Sequence, residues 1–360
     1  MQHLVENNML YYGCVSIVQG LLFVKFAALH IWDFMTAIHS DLQETLHGSK
    51  IVVLGGMGFI GYNLCSELLS KGAHLCIIDN CFNSTEKGFQ GFEGSFEFVR
   101  ESVLNSDIYH HFEDVDYIFH LACVQINHSA KDPELDLQVN ALSTLRILER
   151  LRNGNFPRLK RFIYTSTTSI YGSPENLPIH ENSRPEILNH YAASKLLAEQ
   201  YVMLYHLSYD VPATVIRYSN VYGYGQTPRN PYCGVLGKFI DSALNNQPLV
   251  VFGDGEQTRD YTFIDDAVSA TIRAAIHPKG LGDVFNIGTS VETSVNQLVR
   301  YISQEIPSVQ VNHMPERDID NIRRRALSIS KISQKLGWVP KVTIQQGISM
   351  TIDWNRKALS

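Results

Sequence analysis

Apolar positions in this chain fall into short continuous runs that alternate with stretches of helical spacing. The run Ile51–Leu54 leads into a glycine-rich stretch, after which apolar residues recur at Leu64, Leu68 and Leu69. A continuous apolar run predicts a buried strand, and a spacing of three or four residues predicts one face of a helix. This stretch therefore predicts a strand, a tight turn and a helix.

The same alternation continues to Tyr218. We predict strands at His74–Ile78, Phe96–Val99, Asp116–Ala122, Arg161–Ser166 and Ala213–Tyr218, and helices at Leu135–Leu151 and Tyr191–Leu207. Alternating strands and helices predict right-handed crossovers and a doubly wound, mostly parallel sheet with helices on both faces. Beyond Asn220 the pattern loosens into loops rich in Gly, Pro and Tyr, which is typical of a lobe that shapes a ligand site.

The glycine turn offers the first candidate chemistry. Gly55, Gly58 and Gly61 would let the backbone approach a pyrophosphate, whose charge would face the positive end of the following helix. The next predicted strand ends at Asp79, where an acidic residue would bind the adenosine ribose hydroxyls. A carboxylate there would repel a 2′-phosphate, so the pattern favours NAD over NADP. Taken alone, the glycines are also compatible with a plain strand–helix turn.

Two further segments carry polar chemistry. Tyr191 and Lys195 are four residues apart on a predicted helix, so the phenol and the ammonium lie on the same helix face and can act on the same ligand group. A nearby ammonium and a positively charged nicotinamide would favour the phenolate and make Tyr191 a general base. The hydroxyl-rich segment Thr165–Gly172 ends a predicted strand, where open α/β sheets place ligands. A surface pair and a Ser/Thr-rich turn are the alternatives for these segments considered singly.

Composition sets limits on partners and compartment. The 360 residues predict a large α/β domain with a smaller one, and a net charge of −6 gives no general reason to bind nucleic acid. Six cysteines lie at positions 14, 65, 76, 81, 123 and 233 without metal-ligand spacing. They predict reduced thiols in a cytoplasmic compartment and no metal site.

Residues 1–48 differ from the rest, because Met9–Ile38 is strongly apolar. Its first part is shorter than the roughly 20 residues that span a bilayer, and Lys25 then interrupts it. Three interpretations stay open: an extension packed on the protein or on a membrane, a membrane anchor, or a start codon assigned too far upstream. We favour the last, with Met35 as the alternative start, so membrane association through residues 1–38 is an alternative to a cytoplasmic location.

From about residue 49 to the C-terminus the chain resembles the extended short-chain dehydrogenase/reductase family, in particular its nucleotide-sugar epimerases and dehydratases of the UDP-glucose 4-epimerase type. The resemblance rests on ordered motifs: GGMGFIG, IIDN, HLAC, TSTTSIYG, YAASK, RYSNVYG, GDGEQTRDYTFIDD, FNIG and KLGWVPKV. It implies an NAD-binding Rossmann domain over residues 49–220, to which part of 260–288 returns. Residues 221–360 would mainly form the smaller α/β lobe that binds a nucleoside-diphosphate sugar, and we expect a homodimer.

The resemblance also implies roles for individual residues. The catalytic set would be Thr167, Tyr191 and Lys195. Substrate diphosphate would contact Asn220 and Arg259, whose fork can pair with phosphate oxygens. Besides Tyr191 and Lys195, the cofactor would contact Gly55, Gly58, Phe59, Ile60, Gly61, Asp79, Asn80, Leu121, Ala122 and Asn140.

Some positions depart from the family pattern. Leu54, Cys123 and Ser219 replace the usual Thr, Ala and Phe, and Ser102 stands where an Asp usually holds the adenine amino group. The resemblance therefore implies a weaker or different arrangement around the adenine.

The subclass depends on Thr168 and Ser169, where family dehydratases have Asp and Glu and decarboxylases keep the Glu. Hydroxyls of ordinary pKa cannot replace carboxylates in that proton transfer. We therefore predict an NAD-dependent UDP-sugar 4-epimerase, an isomerase that works through a 4-keto intermediate. A dehydratase, decarboxylase or reductase of the same family, or a non-catalytic nucleotide-binding member, remains the alternative.

Overall fold

The computed structural model describes residues 46–82, 92–226, 234–316 and 322–359. The chain divides into two compact units, Met1–His47 and Gly48–Ser360. Nearly all of the first unit lies outside the described residues, and so do the sequence expectations for residues 1–38, including Met35. The second unit carries the sheet and every candidate site residue. None of the helices in the described residues combines the length and apolar character needed to cross a bilayer.

A parallel sheet of seven strands organises the described residues. Its strands are β1 Lys50–Leu54, β2 His74–Ile78, β3 Ser95–Val99, β4 Tyr117–His120, β5 Arg161–Thr167, β6 Ala213–Tyr218 and β11 Asp283–Ile287. Across the sheet they lie in the order β11, β6, β5, β4, β1, β2, β3. The order reverses between β1 and β4, which is where a doubly wound sheet opens a crevice at the carboxyl ends of its strands. The predicted α/β Rossmann class is confirmed.

Helices cover both faces of this sheet. The α-helices are α1 Phe59–Ser70, α2 Ile126–Ser129, α3 Pro133–Leu137, α4 Ser143–Asn153, α5 His190–Tyr209, α6 Val235–Leu244, α7 Ile264–Ile276, α8 Val295–Glu305, α9 Ser330–Leu336 and α10 Ile344–Leu359. Helices α5 and α7 both contact β5 and β6, so these strands are enclosed on two sides. Every residue of β5 and β6 is buried, as expected of central parallel strands.

The predicted helix Leu135–Leu151 is interrupted in the structure. Asp132 caps α3 by accepting from the Leu135 amide at 3.0 Å, and Pro133 occupies the first turn. A π-helical turn, Gln138–Leu142, then separates α3 from α4. Such turns are frequent at functional sites. This one contains Asn140, which the family resemblance places in the cofactor site.

The part of the chain after Asn220 is more regular than its sequence suggests. Its described residues form helices α6 to α10 and six short strands outside the main sheet: β7 Asn220–Tyr222, β8 Leu249–Phe252, β9 Thr258–Arg259, β10 Tyr261–Phe263, β12 Thr293–Ser294 and β13 Val311–Met314. These strands pair two by two, as β7 with β10, β8 with β13 and β9 with β12. The expectation of loops was wrong here because strands of two to four residues leave too short a pattern to recognise.

Candidate active site

Three glycines of the turn after β1 differ in what surrounds them. Gly55 has φ +81°, and a Cβ there would lie 2.5 Å from the Ala122 amide nitrogen; at Gly61 a Cβ would lie 2.2 Å from the Gly55 carbonyl oxygen. The chain's own packing therefore requires both glycines. A Cβ at Gly58 would meet no described atom closer than 3.4 Å. Gly58 thus leaves space beside the turn, as a pyrophosphate lying against the backbone would need.

Helix α1 presents its N-terminus to this space. Gly58 is its N-cap residue, and the helix begins with Phe59 and Ile60, which are both half-buried. Among the described residues no side chain caps this end, and the first turn holds no acidic residue. The first amide groups therefore remain available to an anion, and the helix dipole favours one.

Asp79 fastens the end of β2 to the glycine turn. Its Oδ2 accepts a hydrogen bond from the Met57 amide at 2.9 Å, and its Oδ1 accepts one from the Cys81 amide at 2.8 Å. Burial raises the Asp79 pKa, and these two hydrogen bonds oppose the rise. The neighbouring Asn80 is exposed and accepts from the Phe82 amide at 3.1 Å. Asp79 therefore lies beside the turn at the strand's carboxyl end, as the sequence predicts for a ribose-binding acid.

Leu121 and Ala122 of the HLAC motif directly follow β4 and form a wall beside the glycine turn. The amides of Leu121 and Ala122 both donate to the Leu54 carbonyl, at 2.8 and 2.9 Å. Asn140 holds the next residues, since its Oδ1 accepts from the Val124 amide at 2.7 Å and its Nδ2 donates to the Val124 carbonyl at 3.0 Å. Asn140 is 1% exposed. Its buried side chain therefore holds the backbone of this wall in position.

Helix α5 begins beside the end of β5. Asn189 caps it by accepting from the Ala192 amide at 2.9 Å, which places Tyr191 and Lys195 one turn apart near its start. Lys195 is 1% exposed, and its ammonium lies 4.2 Å from the centre of the Tyr164 ring. Burial lowers the pKa of Lys195, whereas the nearby Cys123, among other groups, raises it. The ammonium is thus held in a largely dry environment.

Tyr191 and Thr167 meet at the junction of β5 and α5. Burial raises the pKa of the Tyr191 phenol well above its ordinary value, and a hydrogen bond with Thr167 lowers it. The Thr167 hydroxyl also bonds the Ser169 hydroxyl at 3.2 Å. The structure therefore brings the predicted catalytic hydroxyl and phenol together. In the chain alone, however, the phenol's surroundings oppose its ionisation, contrary to the expectation drawn from Lys195.

One buried acid near this pair, Asp136, was not identified from the sequence. Asp136 is 2% exposed and accepts from Ser129 Oγ at 2.6 Å and from Asn140 Nδ2 at 2.7 Å. Its charge raises the pKa of both Tyr191 and Lys195. The spacing of Asp136 and Asn140, four residues apart on one helical segment, is the signal that could have identified the acid.

The two residues predicted to contact substrate lie on two short strands, β7 and β9. Asn220 begins β7 and pairs with Tyr261 of β10, two residues after Arg259. Arg259 is half-buried and donates from Nη1 to the carbonyls of Thr258 and Ile322, at 2.8 and 2.7 Å. These bonds orient the guanidinium where β9 meets Ile322 and Arg323.

A model of the NAD dependent epimerase/dehydratase family matches residues 51–288. The chain belongs to this family. The match spans the glycine turn, the Thr167–Tyr191–Lys195 group and both predicted substrate residues. It confirms the family resemblance, and it confirms NAD as the cofactor that the glycine turn and Asp79 predict.

Curated relatives of the family cover most of the chain. A putative UDP-glucose 4-epimerase of Methanocaldococcus jannaschii is 33% identical over 307 residues, covering 84% of this chain and 97% of that protein. A UDP-glucose 4-epimerase of Mycolicibacterium smegmatis is also 33% identical, over 315 residues. It covers 85% of this chain and 98% of that protein. The relatives include a UDP-N-acetyl-alpha-D-glucosaminuronate decarboxylase of Bacillus cytotoxicus, 31% identical over 86% of this chain and 98% of that protein.

Solved structures of the family share the fold. The UDP-glucose 4-epimerase of Thermotoga maritima with UDP-glucose has a TM-score of 0.80 and 31% identity, and the match covers 86% of this chain and 100% of that one. The UDP-glucuronic acid 4-epimerase of Bacillus cereus with UDP-glucuronic acid and NAD has a TM-score of 0.78 and 30% identity, covering 86% and 99%. The predicted class of enzyme, an NAD-dependent isomerase, is confirmed by these relatives.

Hydroxyls occupy the two subclass positions of this family member. Thr168 is 4% exposed, and its hydroxyl has no partner among the described residues. The Ser169 amide donates to Thr167 Oγ1 at 3.1 Å, so Ser169 lies close to the predicted catalytic hydroxyl. Ser102 accepts from the Leu104 amide at 3.2 Å, and Ser219 bonds the Thr262 hydroxyl at 2.6 Å. Both replacements are therefore engaged within the fold.

Proposed function

We propose that this protein is an NAD-dependent epimerase that inverts the sugar 4-position of a UDP-sugar through a 4-keto intermediate. The grouping of Thr167, Tyr191 and Lys195 at the carboxyl ends of the sheet strands supports oxidation of a carbinol at this place. UDP-sugar 4-epimerases among the family's relatives support the substrate class and the position on the sugar.

The cofactor would lie along the crevice between β1, β2 and β4. Its pyrophosphate would face Gly58 and the amides of Phe59 and Ile60, and its adenosine ribose would face Asp79 and Asn80. Leu121 and Ala122 would line the far side, held in place by Asn140. When bound, NAD would supply the acceptor for a hydride from the sugar carbon and the donor of that hydride to the opposite face of the ketone.

Tyr191 would accept the proton of the 4-hydroxyl and later return it. Because burial raises the pKa of the phenol, it needs positive charge nearby before it can act as a base at neutral pH. Lys195, one turn along the same helix, would supply part of that charge while binding the nicotinamide ribose. The Thr167 hydroxyl would form hydrogen bonds with both the phenol and the substrate oxygen.

Asn220 and Arg259 would hold the substrate by its diphosphate. A guanidinium can bind phosphate oxygens through two parallel hydrogen bonds, which fixes the diphosphate without touching the sugar. The keto sugar therefore remains free to rotate in the site between the two hydride transfers. Attachment through the diphosphate would also retain the intermediate during that rotation.

The pair of hydroxyls at Thr168 and Ser169 is the observation that favours epimerisation over dehydration and decarboxylation. Elimination of water requires an acid and a base near the sugar, and hydroxyls of ordinary pKa serve poorly as either. Epimerisation needs one proton acceptor, which Tyr191 provides. Thr168 and Ser169 therefore disfavour a dehydratase or a decarboxylase that depends on a carboxylate in this loop.

NMR of the products in deuterium oxide would test the proposal. We expect the two 4-epimers of a UDP-sugar to converge on the same ratio from either side, with the original hydrogen retained at carbon 4. A dehydratase would instead form a 4-keto-6-deoxy sugar that contains solvent deuterium, and a decarboxylase would release carbon dioxide from a UDP-uronate. Either outcome, or stoichiometric consumption of NADH, would exclude the proposed reaction.

We also propose the domain limits and the cellular context that the sequence suggests. Residues 49–220, with part of 260–288, would form the NAD-binding domain, and residues 221–360 would mainly bind the nucleotide sugar. The pairing of β11 with β6 in one sheet supports the return of the chain to the first domain. A homodimer and a cytoplasmic location are carried over from the family resemblance and the scattered cysteines.

A further inference from the structure

Three side chains with metal-ligating atoms meet near the β3 edge of the sheet. They are Cys76 in β2, Glu97 in β3 and His111 in the 3-10 helix Ser106–Phe112. One ligand atom from each, a thiol sulfur, a carboxylate oxygen and a ring nitrogen, lies within 4.8 Å of the other two. The His111 Nδ1 to Glu97 Oε2 distance is 3.9 Å. The two strand residues are in mid-strand, away from the carboxyl ends where the glycine turn lies.

The register of the sheet sets two of these positions. Cys76 and Glu97 are direct partners in the parallel pairing of β2 with β3. Side chains at paired positions project from the same face of a sheet, so thiol and carboxylate must be neighbours wherever this register is kept. A shift of either strand by one residue would place them on opposite faces. Their proximity is therefore a property of the fold.

The third ligand is fixed by the packing of its helix. Ile108 and Phe112 are 1% and 0% exposed in the main core, which anchors the 3-10 helix against the sheet. Asn105 caps the helix by accepting from the Asp107 amide at 3.0 Å. The His111 side chain is 13% exposed, whereas that of Glu97 is 64% exposed and has room to move. Cys76 and His111 are thus held by the surrounding packing, and the exposed Glu97 can adjust to an ion.

The donor set selects a class of ion. Thiolate, imidazole and carboxylate are the ligands of Zn²⁺ and similar borderline ions, while Ca²⁺ and Mg²⁺ prefer oxygen alone. Ligand atoms around a tetrahedral zinc stand roughly 3.3–3.7 Å apart, given metal–ligand distances of about 2.0–2.3 Å. Rotation of the exposed Glu97 side chain can shorten its distances to the other two ligands, and an ion would draw the Cys76 and His111 atoms together from their separation of at most 4.8 Å. Three protein ligands leave a fourth position for water.

We propose that Cys76, Glu97 and His111 form a binding site for one Zn²⁺-type ion, separate from the active site. The ion would join β2, β3 and the 3-10 helix at the edge of the sheet. It would stabilise the folded chain because an ion that binds only the native state raises the free energy of unfolding. The sequence expectation of no metal site rests on the absence of a short motif, and these ligands come from three separate elements.

Titration of the tag-free, metal-free full-length chain with Co²⁺ tests this proposal. A tetrahedral cobalt ion bound through sulfur produces a thiolate-to-cobalt absorption band, which identifies a cysteine ligand. We expect one equivalent to bind, Zn²⁺ to displace it, and the melting temperature to rise with either ion. The variant Cys76→Ser should lose the band, and His111→Asn should weaken cobalt binding by at least about tenfold, since loss of an outer partner alone costs 10–100-fold.

Matched controls separate this site from other thiols and imidazoles. His74→Asn in the same strand and Cys81→Ser just beyond it should keep the band and the affinity. Because Glu97 is exposed, Glu97→Gln should fold like the wild type and bind cobalt more weakly, which provides a test if Cys76→Ser does not fold. The proposal would be overturned if wild-type protein shows no saturable binding. It would also be overturned if Glu97→Gln binds like wild type, or if a folded Cys76→Ser keeps the band.

Discussion

Arg217 of β6 forms a buried ion pair with Glu199 of α5, which lies one helical turn beyond Lys195. Its Nε donates to Glu199 Oε2 at 3.0 Å, and a second guanidinium nitrogen pairs with the other carboxylate oxygen. Arg217 Nη1 also donates to the Tyr171 hydroxyl at 2.6 Å, and that hydroxyl donates to Asn286 Oδ1 at 2.8 Å. The network therefore ties the helix that carries Lys195 to the core strands and to the loop after Thr167.

Breaking this pair should harm both stability and catalysis. The side chains of Arg217 and Glu199 are only 7% and 1% exposed, so Glu199→Gln leaves a buried guanidinium without its counter-charge. We expect a loss of roughly 3–5 kcal/mol in the free energy of unfolding, measured with urea. Because the displaced helix carries Lys195, kcat should fall in the molecules that remain folded.

The exposed pair of Arg323 and Asp254 provides a control for this prediction. Their side chains are 55% and 54% exposed, although the pairing distance is 2.8 Å. Asp254→Asn should leave both the free energy of unfolding and kcat nearly unchanged, because solvent screens such pairs. Equal effects of the two substitutions would show that the Arg217–Glu199 pair has no special role.

Two glycines of the turn should respond differently to the same substitution. In Gly61→Ala the new methyl would collide with the Gly55 backbone, at 2.2 Å, so the folded protein should be lost or its melting temperature strongly lowered. In Gly58→Ala the methyl has room in the chain itself, at 3.4 Å from its nearest described neighbour. This variant should keep its melting temperature but bind NAD at least about tenfold more weakly, or about 1.4 kcal/mol. Unchanged NAD affinity in folded Gly58→Ala would contradict the proposed pyrophosphate position.

Asp260 should give the stability of the chain a distinct pH dependence. Burial raises its pKa from 3.8 to about 6, although its carboxylate accepts hydrogen bonds from Thr289, Ser290 and Leu327 that lower it. Between these two pH values the folded state binds more protons at Asp260 than the unfolded state does. The contribution of Asp260 to the free energy of unfolding therefore falls as pH rises through this window.

Comparison with Asp260→Asn isolates that contribution. The difference in free energy of unfolding, wild type minus variant, should decrease by roughly 2–3 kcal/mol between pH 4 and pH 6 and then stay level. Urea denaturation at several pH values measures it, even if the variant is less stable throughout. A difference that rises with pH would show that the folded pKa lies below the unfolded one.

Six of the seven strands of the central sheet could be predicted because each contains a short run rich in apolar residues. Residues 51–54 and 162–164 are apolar and buried, so no polar alternation obscures them. The seventh strand, β11, follows Asn220, where the sequence predicts loops. Two-residue strands such as β9 and β12 offer no such pattern, and their pairing depends on contacts distant in sequence. For this reason the sequence pattern predicts loops in the part of the chain after Asn220.

The same distinction applies to the candidate active site, where some residues are grouped by local spacing and others are brought together only by packing. Tyr191, Lys195 and the glycines are grouped by local spacing, which the sequence displays directly. Asp136 reaches Tyr191 only through the packing of two helical segments. Local patterns could not show its effect on the pKa of the phenol. The pairing of Cys76 with Glu97 likewise depends on strand register, which short motifs do not contain.

Substitution of Tyr191 by Phe, with turnover and UDP-sugar binding measured on the same preparation, tests the account most directly. The change removes only the phenolic oxygen, so the affinity for the UDP-sugar should stay near that of the wild type. Turnover should fall by about 10²–10⁴-fold, because the proton acceptor is lost. Tyr209→Phe, at the exposed end of the same helix, should keep full activity. Epimerisation by Tyr191→Phe at close to the wild-type rate would contradict the proposed mechanism.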